Sequence, residues 1–301
     1  DATNLVVWWK FDNENIFYNS APNPLSLTLT SRTNTSNDGV LTIKEKYLGY
    51  GSFYKSDASD SRGYSITPAN WMSQLIGLEC TFSFWAKQIN NSSTSSMVQH
   101  IFRQDMSFII REYNGQFHVY ISPDNWGYYD YTSTILLSYL KWVHVTVTIN
   151  LNTGTHKDDV VNIYKNGVLQ PTSISGTSDA YSHAIGTGFQ NDSSAFLFCG
   201  GGGTSFQGYI DDMRIYNKCL SGDEVYKLYN SYRYTEYNVN FDVDTECDML
   251  IVGGGGGGSR RMSGGGGAGA LIYDTFTFKS GIDYKLRVGK GGIGAAAIRW
   301  I

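Results

Sequence analysis

Residues 142–170 read WVHVTVTINLNTGTHKDDVVNIYKNGVLQ, and this stretch decides the fold. Apolar and polar residues alternate through WVHVTVTIN and again through VVNIYK, a period of two that is typical of strands with one buried face. The clusters NLNTGTHKDD and YKNG are rich in turn-forming residues and bound the two runs. The stretch therefore predicts consecutive β-strands joined by polar turns.

The same alternation continues on both sides, from the N-terminus to about residue 216. It is visible in LVVWWKF, TFSFWAK, SFIIREY, QFHVYIS and GYIDDMRIY, with turn clusters such as NNSSTSS and EYNG between the runs. Roughly a dozen short strands follow from this pattern. Two packed antiparallel sheets are the usual way to bury so many alternating faces, and a barrel is the lesser alternative. We therefore predict an all-β, two-sheet antiparallel sandwich.

Residues 221–234, SGDEVYKLYNSYRY, break this alternation. Ser221 and Glu224 form an S-x-x-E capping box, which is typical of a helix N-terminus. The apolar residues at helical spacing are Val225, Leu228, Tyr229 and Tyr232. We predict one short amphipathic helix that closes a first domain over residues 1–235, and a second, glycine-rich domain over 236–301.

Composition excludes some partners. The chain has 23 Lys and Arg against 27 Asp and Glu, a formal net charge of −4, so no basic surface for nucleic acid is expected. No stretch approaches the ~20 consecutive apolar residues that a membrane-spanning helix needs.

The four cysteines leave two alternatives open, a Cys199–Cys219 bridge and free thiols. Asn-x-Ser/Thr triplets begin at Asn34, Asn90, Asn91 and Asn191, and they are compatible with an exported or surface-displayed protein, so an extracellular location is favoured.

Two blocks of the sequence resemble a known family. They are residues 142–170 and residues 196–229, which read FLFCGGGGTSFQGYIDDMRIYNKCLSGDEVYKLY. With VVWWKFD and CTFSFWAK they extend over residues 5–229. The chain resembles the laminin-G-like, concanavalin A-like lectin/glucanase family, whose members carry a W-H-H-V … Y-V-N-G hairpin and a closing G-x-I-D-D-V-R-I-Y block. The resemblance implies a jelly-roll sandwich of about six or seven strands per sheet. Members bind glycans, proteins or lipids, and some are glycosidases, so the fold alone does not decide the function.

Catalytic motifs are not evident. Retaining glycosidases of this architecture carry E-x-D-x-x-E on one strand, because two carboxyl groups must lie about 5–5.5 Å apart. The nearest sequence, Glu246-Cys-Asp248, lacks the second Glu and follows the predicted sandwich. Cys80 has no identifiable base, and His144 in WVHV is expected to be a hydrogen-bonded structural histidine. We expect no enzymatic activity, and a polysaccharide hydrolase is the least favoured alternative.

Asp211 is a candidate metal ligand. By the period of two it shares a strand face with Met213 and Ile215, so it points inward if they do. A buried carboxylate needs a partner. Without a metal, that partner would be the backbone, Arg214 or Lys10.

The family resemblance implies another partner for Asp211, a structural calcium ion. Several relatives hold Ca²⁺ with one carboxylate at the end of the first strand and another from the I-D-D strand. These positions correspond to Asp12 and Asp211, with Asn13 or Asp212 as possible helpers. The remaining oxygens of the ~6–8 that calcium takes would come largely from backbone carbonyls.

The segment SPDNWGYYDYTST, residues 122–134, is the candidate ligand site. Aromatic rings stack on the apolar face of a pyranose, while amides and carboxylates bind its hydroxyl groups. The predicted ligand-binding residues are Asp124, Asn125, Trp126, Tyr128, Tyr129 and Tyr131. The same composition is typical of a protein–protein hot spot, and a strand whose tyrosines merely line a sheet is a third alternative. Trp71 is a weaker candidate, which we expect to pack under a loop.

The stretch DMLIVGGGGGG, residues 248–258, looks at first like a dinucleotide-binding turn. Such a site needs a helix directly after the glycines. Ten glycines lie within residues 253–267, and each costs about 1 kcal/mol relative to alanine in a helix, so no helix is expected there. GKGGIG at 289–294 is followed only by AAAIRWI. We therefore expect no nucleotide.

These glycine runs, with YDTFTF and DYKLRVG, resemble the glycine-rich modules of phage and large algal virus surface proteins. We expect a small β module that is incomplete here, with packed extended segments or a flexible loop as the two alternatives for the glycines. The function predicted is a non-catalytic surface recognition module that binds a glycan or glycoprotein. The alternative is a structural virion or capsid-associated protein that packs against other proteins.

Overall fold

The computed structural model describes residues 2–11, 18–31, 40–42, 52–55, 63–72, 76–89, 98–104, 107–113, 115–122, 128–134, 137, 140–152, 157–176, 189, 195–198, 206–253 and 269–289. The chain divides into two compact units, Asp1–Val225 and Tyr226–Ile301. The domain boundary expected after residue 235 stays a prediction.

In chain order the strands are β1 (Leu5–Trp9), β2 (Thr28–Ser31), β3 (Val40–Thr42), β4 (Ser52–Lys55), β5 (Tyr64–Thr67), β6 (Glu79–Gln88), β7 (Gln99–Gln104), β8 (Phe108–Tyr113), β9 (Gln116–Ile121), β10 (Tyr129–Ser133), β11 (Trp142–Asn150), β12 (Val161–Lys165), β13 (Val168–Leu169), β14 (Thr172–Gly176), β15 (Ala195–Leu197), β16 (Gly208–Tyr216), β17 (Tyr234–Val239), β18 (Thr245–Val252), β19 (Leu271–Phe278) and β20 (Tyr284–Gly289). The described helices are a 3₁₀ turn at Ala2–Asn4 and the α-helices α1 (Lys157–Val160) and α2 (Gly222–Ser231).

The first unit is a sandwich of two antiparallel sheets. Sheet A has the order β13–β12–β11–β6–β16–β4–β3, with β1 also paired to β16, and sheet B has the order β14–β10–β9–β8–β7–β15–β5–β2. The sheets meet through aromatic side chains, since the ring of Phe82 in β6 lies 5.0 Å from Phe102 in β7 and 5.1 Å from Phe108 in β8. The predicted all-β sandwich is therefore confirmed.

Within the described residues each sheet has eight strands, more than the six or seven that the resemblance implies. The additional strands include very short ones, such as β13 with two residues and β3 with three. A run of two or three residues is too short to show an alternating pattern. The expected number of strands per sheet was therefore too low, although the predicted two-sheet architecture was correct.

Helix α2 begins at the predicted capping box. The Ser221 amide donates to Glu224 Oε2 at 2.9 Å, and the Glu224 amide donates to Ser221 Oγ at 3.3 Å. Lys218 donates to Glu224 Oε1 at 2.6 Å, and this bond lowers the pKa of the Glu224 carboxyl. Val225, the first apolar residue of the predicted stripe, is fully buried. The predicted helix is thus present, and its cap has formed as the sequence indicates.

A β-bulge in β16 changes the predicted orientation of Asp211. The register with β6 shifts between Asp211 and Arg214, and Asp212 within the shift has φ of 48°. Asp211 therefore lies opposite Trp85 on the outer face of sheet A, while Met213 belongs to the core. The simple period of two was wrong here, because an inserted residue exchanges the two faces of a strand.

Cys219 is a free thiol, as are Cys80 and Cys247. The alternative of a Cys199–Cys219 bridge is therefore wrong, and Cys199 itself lies outside the described residues.

The second unit contains two antiparallel ribbons, β17 with β20 and β18 with β19. Phe278 at the end of β19 packs against Phe241 at 4.9 Å and Tyr284 at 4.8 Å between ring centres. The DMLIVG stretch forms β18 and continues to Gly253, whose amide donates to the Ala270 carbonyl at 2.6 Å. The strand after the glycine run thus returns antiparallel, whereas a dinucleotide site needs a parallel crossover. Residues 254–268 lie outside the described part of the chain.

Candidate functional site

Three consecutive strands of sheet B, β8, β9 and β10, place alternate side chains on opposite faces. Phe108 and Ile110 of β8, with Phe117 and Val119 of β9, belong to the core between the sheets. The residues between them in the sequence must therefore point to the outer face of sheet B. Besides small polar side chains, this outer face carries charged and aromatic ones.

The register aligns these outward residues in two rows across the sheet. Directly opposite residues of antiparallel strands lie on the same face, with Cβ atoms about 4.5–5.5 Å apart. The first row contains His100, Arg111, His118, Thr132 and Ser173. The second row contains Arg103, Ile109, Tyr120, Asp130 and Ser175.

A charged group lies at the centre of these rows. Arg111 Nη2 donates to Asp130 Oδ2 at 2.9 Å, and His118 Nδ1 lies 3.1 Å from each Asp130 oxygen. Because a carboxylate only accepts, the His118 proton on this side resides on Nδ1. The Thr132 hydroxyl lies 3.2 Å from the same nitrogen. Asp130 therefore holds the Arg111 and His118 side chains in fixed positions above the sheet.

Tyrosine rings surround this charged group. The Tyr120 and Tyr128 rings are stacked, with centres 5.2 Å apart and planes inclined by 20°. The Arg111 guanidinium carbon lies 6.0 Å from the Tyr113 ring centre and 5.9 Å from that of Tyr120. Tyr128 is 40% exposed, while burial raises the pKa of the Tyr120 phenol. We call this group of residues the sheet B platform: Arg111, Tyr113, His118, Tyr120, Tyr128 and Asp130.

The ligand-site residues predicted from sequence fall into three groups. Tyr128 belongs to the platform. Tyr129 and Tyr131 face the core and are 9% and 1% exposed, and the Tyr131 hydroxyl donates to the Lys157 carbonyl at 2.8 Å. These two tyrosines are not placed to contact a ligand, because neighbouring residues on a strand point to opposite faces. Asp124, Asn125 and Trp126 lie outside the described residues.

Sequence reasoning did not single out Arg111, His118 or Tyr120. The signal was present, since the alternation in SFIIREY and QFHVYIS assigns these residues to the face opposite the apolar ones. Trp71, the weaker candidate, is fully buried and packs edge-on against Phe102 at 5.8 Å between ring centres.

The predicted calcium ligands are described only in part. Asp12 lies outside the described residues, and Asp211 is fully buried. The possible helper Asp212 accepts hydrogen bonds from Trp8 Nε1 and from Arg214 Nη2, the latter at 2.9 Å, so both its oxygens are already engaged. Within the ranges that the structure describes, no group of three or more His, Cys, Asp and Glu side chains is placed to hold a metal. These residues alone do not assemble a calcium site, and the ion stays a prediction.

His144 lies on the outer face of sheet A, where it is fully buried. Its Nε2 is 2.9 Å from Ser83 Oγ, and its ring centre is 5.0 Å from that of Trp85. Burial, with a smaller contribution from the positive charge of Arg214, lowers the His144 pKa from 6.5 to about 3. The imidazole is therefore neutral at physiological pH and hydrogen-bonded inside the protein.

Among the described segments, no helix has both the length and the apolar character to cross a membrane. A search of curated protein sequences finds no match.

Solved structures with a similar fold include three domains of extracellular enzymes and toxins. Domain 4 of an extracellular GH43 arabinanase from Geobacillus stearothermophilus, in complex with arabinotriose, is 18% identical with a TM-score of 0.53, and the match covers 75% of this chain and 98% of that domain. The ligand binding domain of botulinum neurotoxin serotype D, in complex with N-acetylneuraminic acid, is 15% identical with a TM-score of 0.54 over 84% of this chain and 57% of that one. The binding domain of Paraclostridial Mosquitocidal Protein 1 is 14% identical with a TM-score of 0.57 over 99% and 76%.

At these identities the similarity establishes the fold alone, and the chain spans little more than half of the neurotoxin domain. The family models are more specific. Residues 57–226 match the concanavalin A-like lectin/glucanases superfamily, and residues 232–299 match a glycine-rich domain. Since the first match covers more than half of the sequence and includes strands β5 to β16 of the sandwich, the chain belongs to the concanavalin A-like lectin/glucanase superfamily, with a glycine-rich domain after it.

Proposed function

We propose that this chain is a non-catalytic recognition module of an extracellular or particle surface, and that it binds glycan at the sheet B platform. The observation that carries the proposal is the exposed Tyr128 ring, stacked on Tyr120 beside the paired Arg111 and Asp130. An aromatic face binds the apolar side of a pyranose, and the neighbouring charged groups form directional hydrogen bonds with its substituents.

The position of the platform also supports binding. Strands hold side chains in more precise positions than loops do, and the Arg111–Asp130–His118 hydrogen bonds further reduce side-chain freedom. Less conformational entropy is then lost when a ligand binds. Two proteins of similar fold carry sugar ligands, arabinotriose and N-acetylneuraminic acid, which makes a glycan the first ligand class to test.

The carboxylates near the platform favour binding over hydrolysis. A glycosidase needs two carboxyl groups, about 5–5.5 Å apart if it retains configuration and about 6.5–9.5 Å apart if it inverts. In the described parts of β7 to β10, Asp130 is the one carboxylate on the outer face. Glu112 lies on the inner face, is almost fully buried, and accepts a hydrogen bond from Gln88 Nε2.

The proposal is tested by screening the full chain on a glycan array and measuring each hit by calorimetry. Replacement of Tyr128 by Ala removes the exposed ring and should weaken binding about 5- to 30-fold, the equivalent of roughly 1–2 kcal/mol. Tyr18→Ala is the matched control, because Tyr18 is 59% exposed and lies outside the platform. Binding to no glycan, or an equal loss in both variants, would contradict the proposal.

A second candidate function, packing against neighbouring proteins in a virion or capsid, is favoured by one feature of the second unit. Leu271, Ile272 and Tyr273 of β19 are consecutive, apolar in character and exposed. Exposed apolar clusters often mark protein interfaces. Light scattering of the full chain across a range of concentrations tests this candidate: self-association that Ile272→Ser abolishes would support it, and a monomer throughout would count against packing between copies.

A further inference from the structure

We infer that the glycan bound at the sheet B platform is acidic, and that Arg111 holds its carboxylate or sulfate group. This inference rests on the proposed function, because it names the ligand class of the same site. It comes from the charges and the unsatisfied polar atoms of the outer face of sheet B.

The described part of the outer face of sheet B has an excess of positive charge. On β7 to β10 it carries two arginines, Arg103 and Arg111, and one carboxylate, Asp130. The whole chain, by contrast, has a formal net charge of −4. An excess of positive charge on one face of an acidic protein favours an anionic ligand at that face.

The internal hydrogen bonds leave Arg111 as the principal donor to a ligand. Both Asp130 oxygens are engaged, one by Arg111 Nη2 and both by His118 Nδ1, so the carboxylate orients the guanidinium. A guanidinium has five N–H donors in a planar fork, which matches the geometry of carboxylate and of other oxyanions. The Arg111 side chain is 21% exposed, which gives a ligand access to this fork.

Two polar atoms in the platform are buried without a hydrogen-bond partner, Arg111 Nε and His118 Nε2. His118 is only 7% exposed, and an unsatisfied polar atom in such a position is costly. Arg111 Nε is a donor and needs an acceptor. An acidic sugar supplies oxygens that accept from the exposed part of the Arg111 guanidinium.

The experiment compares acidic glycans with their neutral counterparts, using the full chain and calorimetry. The probe pairs are 3′-sialyllactose with lactose, a galacturonate oligomer with a galactose oligomer, and a sulfated dextran oligosaccharide with the unsulfated one. The first two pairs test a carboxylate and the third tests a sulfate. We expect the acidic member of at least one pair to bind about tenfold more tightly, as a charge-assisted hydrogen bond should provide.

Arg111→Gln should reduce the affinity for the acidic member to that for its neutral counterpart. Lys141→Gln is the control with the same change in net charge, because Lys141 is exposed and immediately precedes β11, a strand of the other sheet. This variant should keep the preference. If Arg111→Gln does not fold, the comparison of acidic and neutral probes on the unmodified chain still decides the question.

The results separate the two levels of the argument. Equal binding of acidic and neutral members, with both weakened by Tyr128→Ala, would overturn the acidic class and leave glycan binding in place. Binding of no probe pair and no array glycan would overturn the proposed function and this inference together.

Discussion

His144 should make the stability of the sandwich strongly dependent on pH. It lies in β11 with Nε2 2.9 Å from Ser83 Oγ, and it is fully buried. Burial disfavours the charged imidazolium, and the Arg214 charge adds repulsion, so the pKa falls from 6.5 to about 3. In the unfolded chain the imidazole is exposed to water and takes up a proton near its ordinary pKa.

The direction and size of the effect follow from these two pKa values. Between about pH 6.5 and pH 3 the unfolded state binds more protons at this residue than the folded state does, so the free energy of unfolding decreases as the pH falls. Each unit corresponds to about 1.4 kcal/mol, so roughly 3 kcal/mol is lost at about pH 4.5. That loss is a large share of the 5–15 kcal/mol by which typical domains are stable.

Urea unfolding followed by tryptophan fluorescence, at a series of pH values, measures this dependence. His144→Gln keeps a polar side chain but cannot titrate, so the difference in stability between the natural chain and this variant should shrink by about 3 kcal/mol from pH 7.5 to pH 4.5. Ser83→Ala is the control, because it removes the hydrogen-bond partner and retains the imidazole. Its curve should run parallel to that of the natural chain. The reasoning is refuted if His144→Gln also gives a parallel curve.

Two further predictions concern local structure, and both are measured by urea unfolding. Ser221→Ala removes one half of the capping box and should cost about 1 kcal/mol, and an unchanged stability would mean that the cap contributes nothing. Gly208→Ala should cost more than about 3 kcal/mol, because the added Cβ would lie 2.2 Å from the Lys87 carbonyl oxygen. Gly77→Ala is its control: φ is +78° but nothing lies within 4 Å, so only the backbone strain of about 1 kcal/mol is expected. Similar losses at both glycines would contradict the steric argument.

The sandwich itself could be predicted from sequence because burial on one face imposes a period of two on every long strand. The failure at Asp211 has an equally physical cause. A bulge inserts one residue and exchanges the faces beyond it, and the left-handed φ of Asp212 that accompanies the shift leaves no mark on the apolar pattern. Aspartate is one of the residues that tolerate this conformation, so an Asp-Asp pair within a strand is compatible with a bulge without indicating one.

The candidate site was predicted only in part. Which residues could be predicted depends on the lengths of the connections between its strands. Only two residues separate Tyr113 from Gln116, the second being Gly115 with φ of 72°. A two-residue hairpin determines the register, so the pairing of Arg111 with His118 was within reach of the sequence EYNG. The connection from β9 to β10 spans residues 122–128, and a connection of that length leaves the register open. The contact that organises the platform joins Asp130 of β10 to Arg111 and His118, and it crosses this second connection. A segment chosen for its composition could therefore identify Tyr128, but not the partners on β8 and β9 that make its exposed ring part of a binding surface.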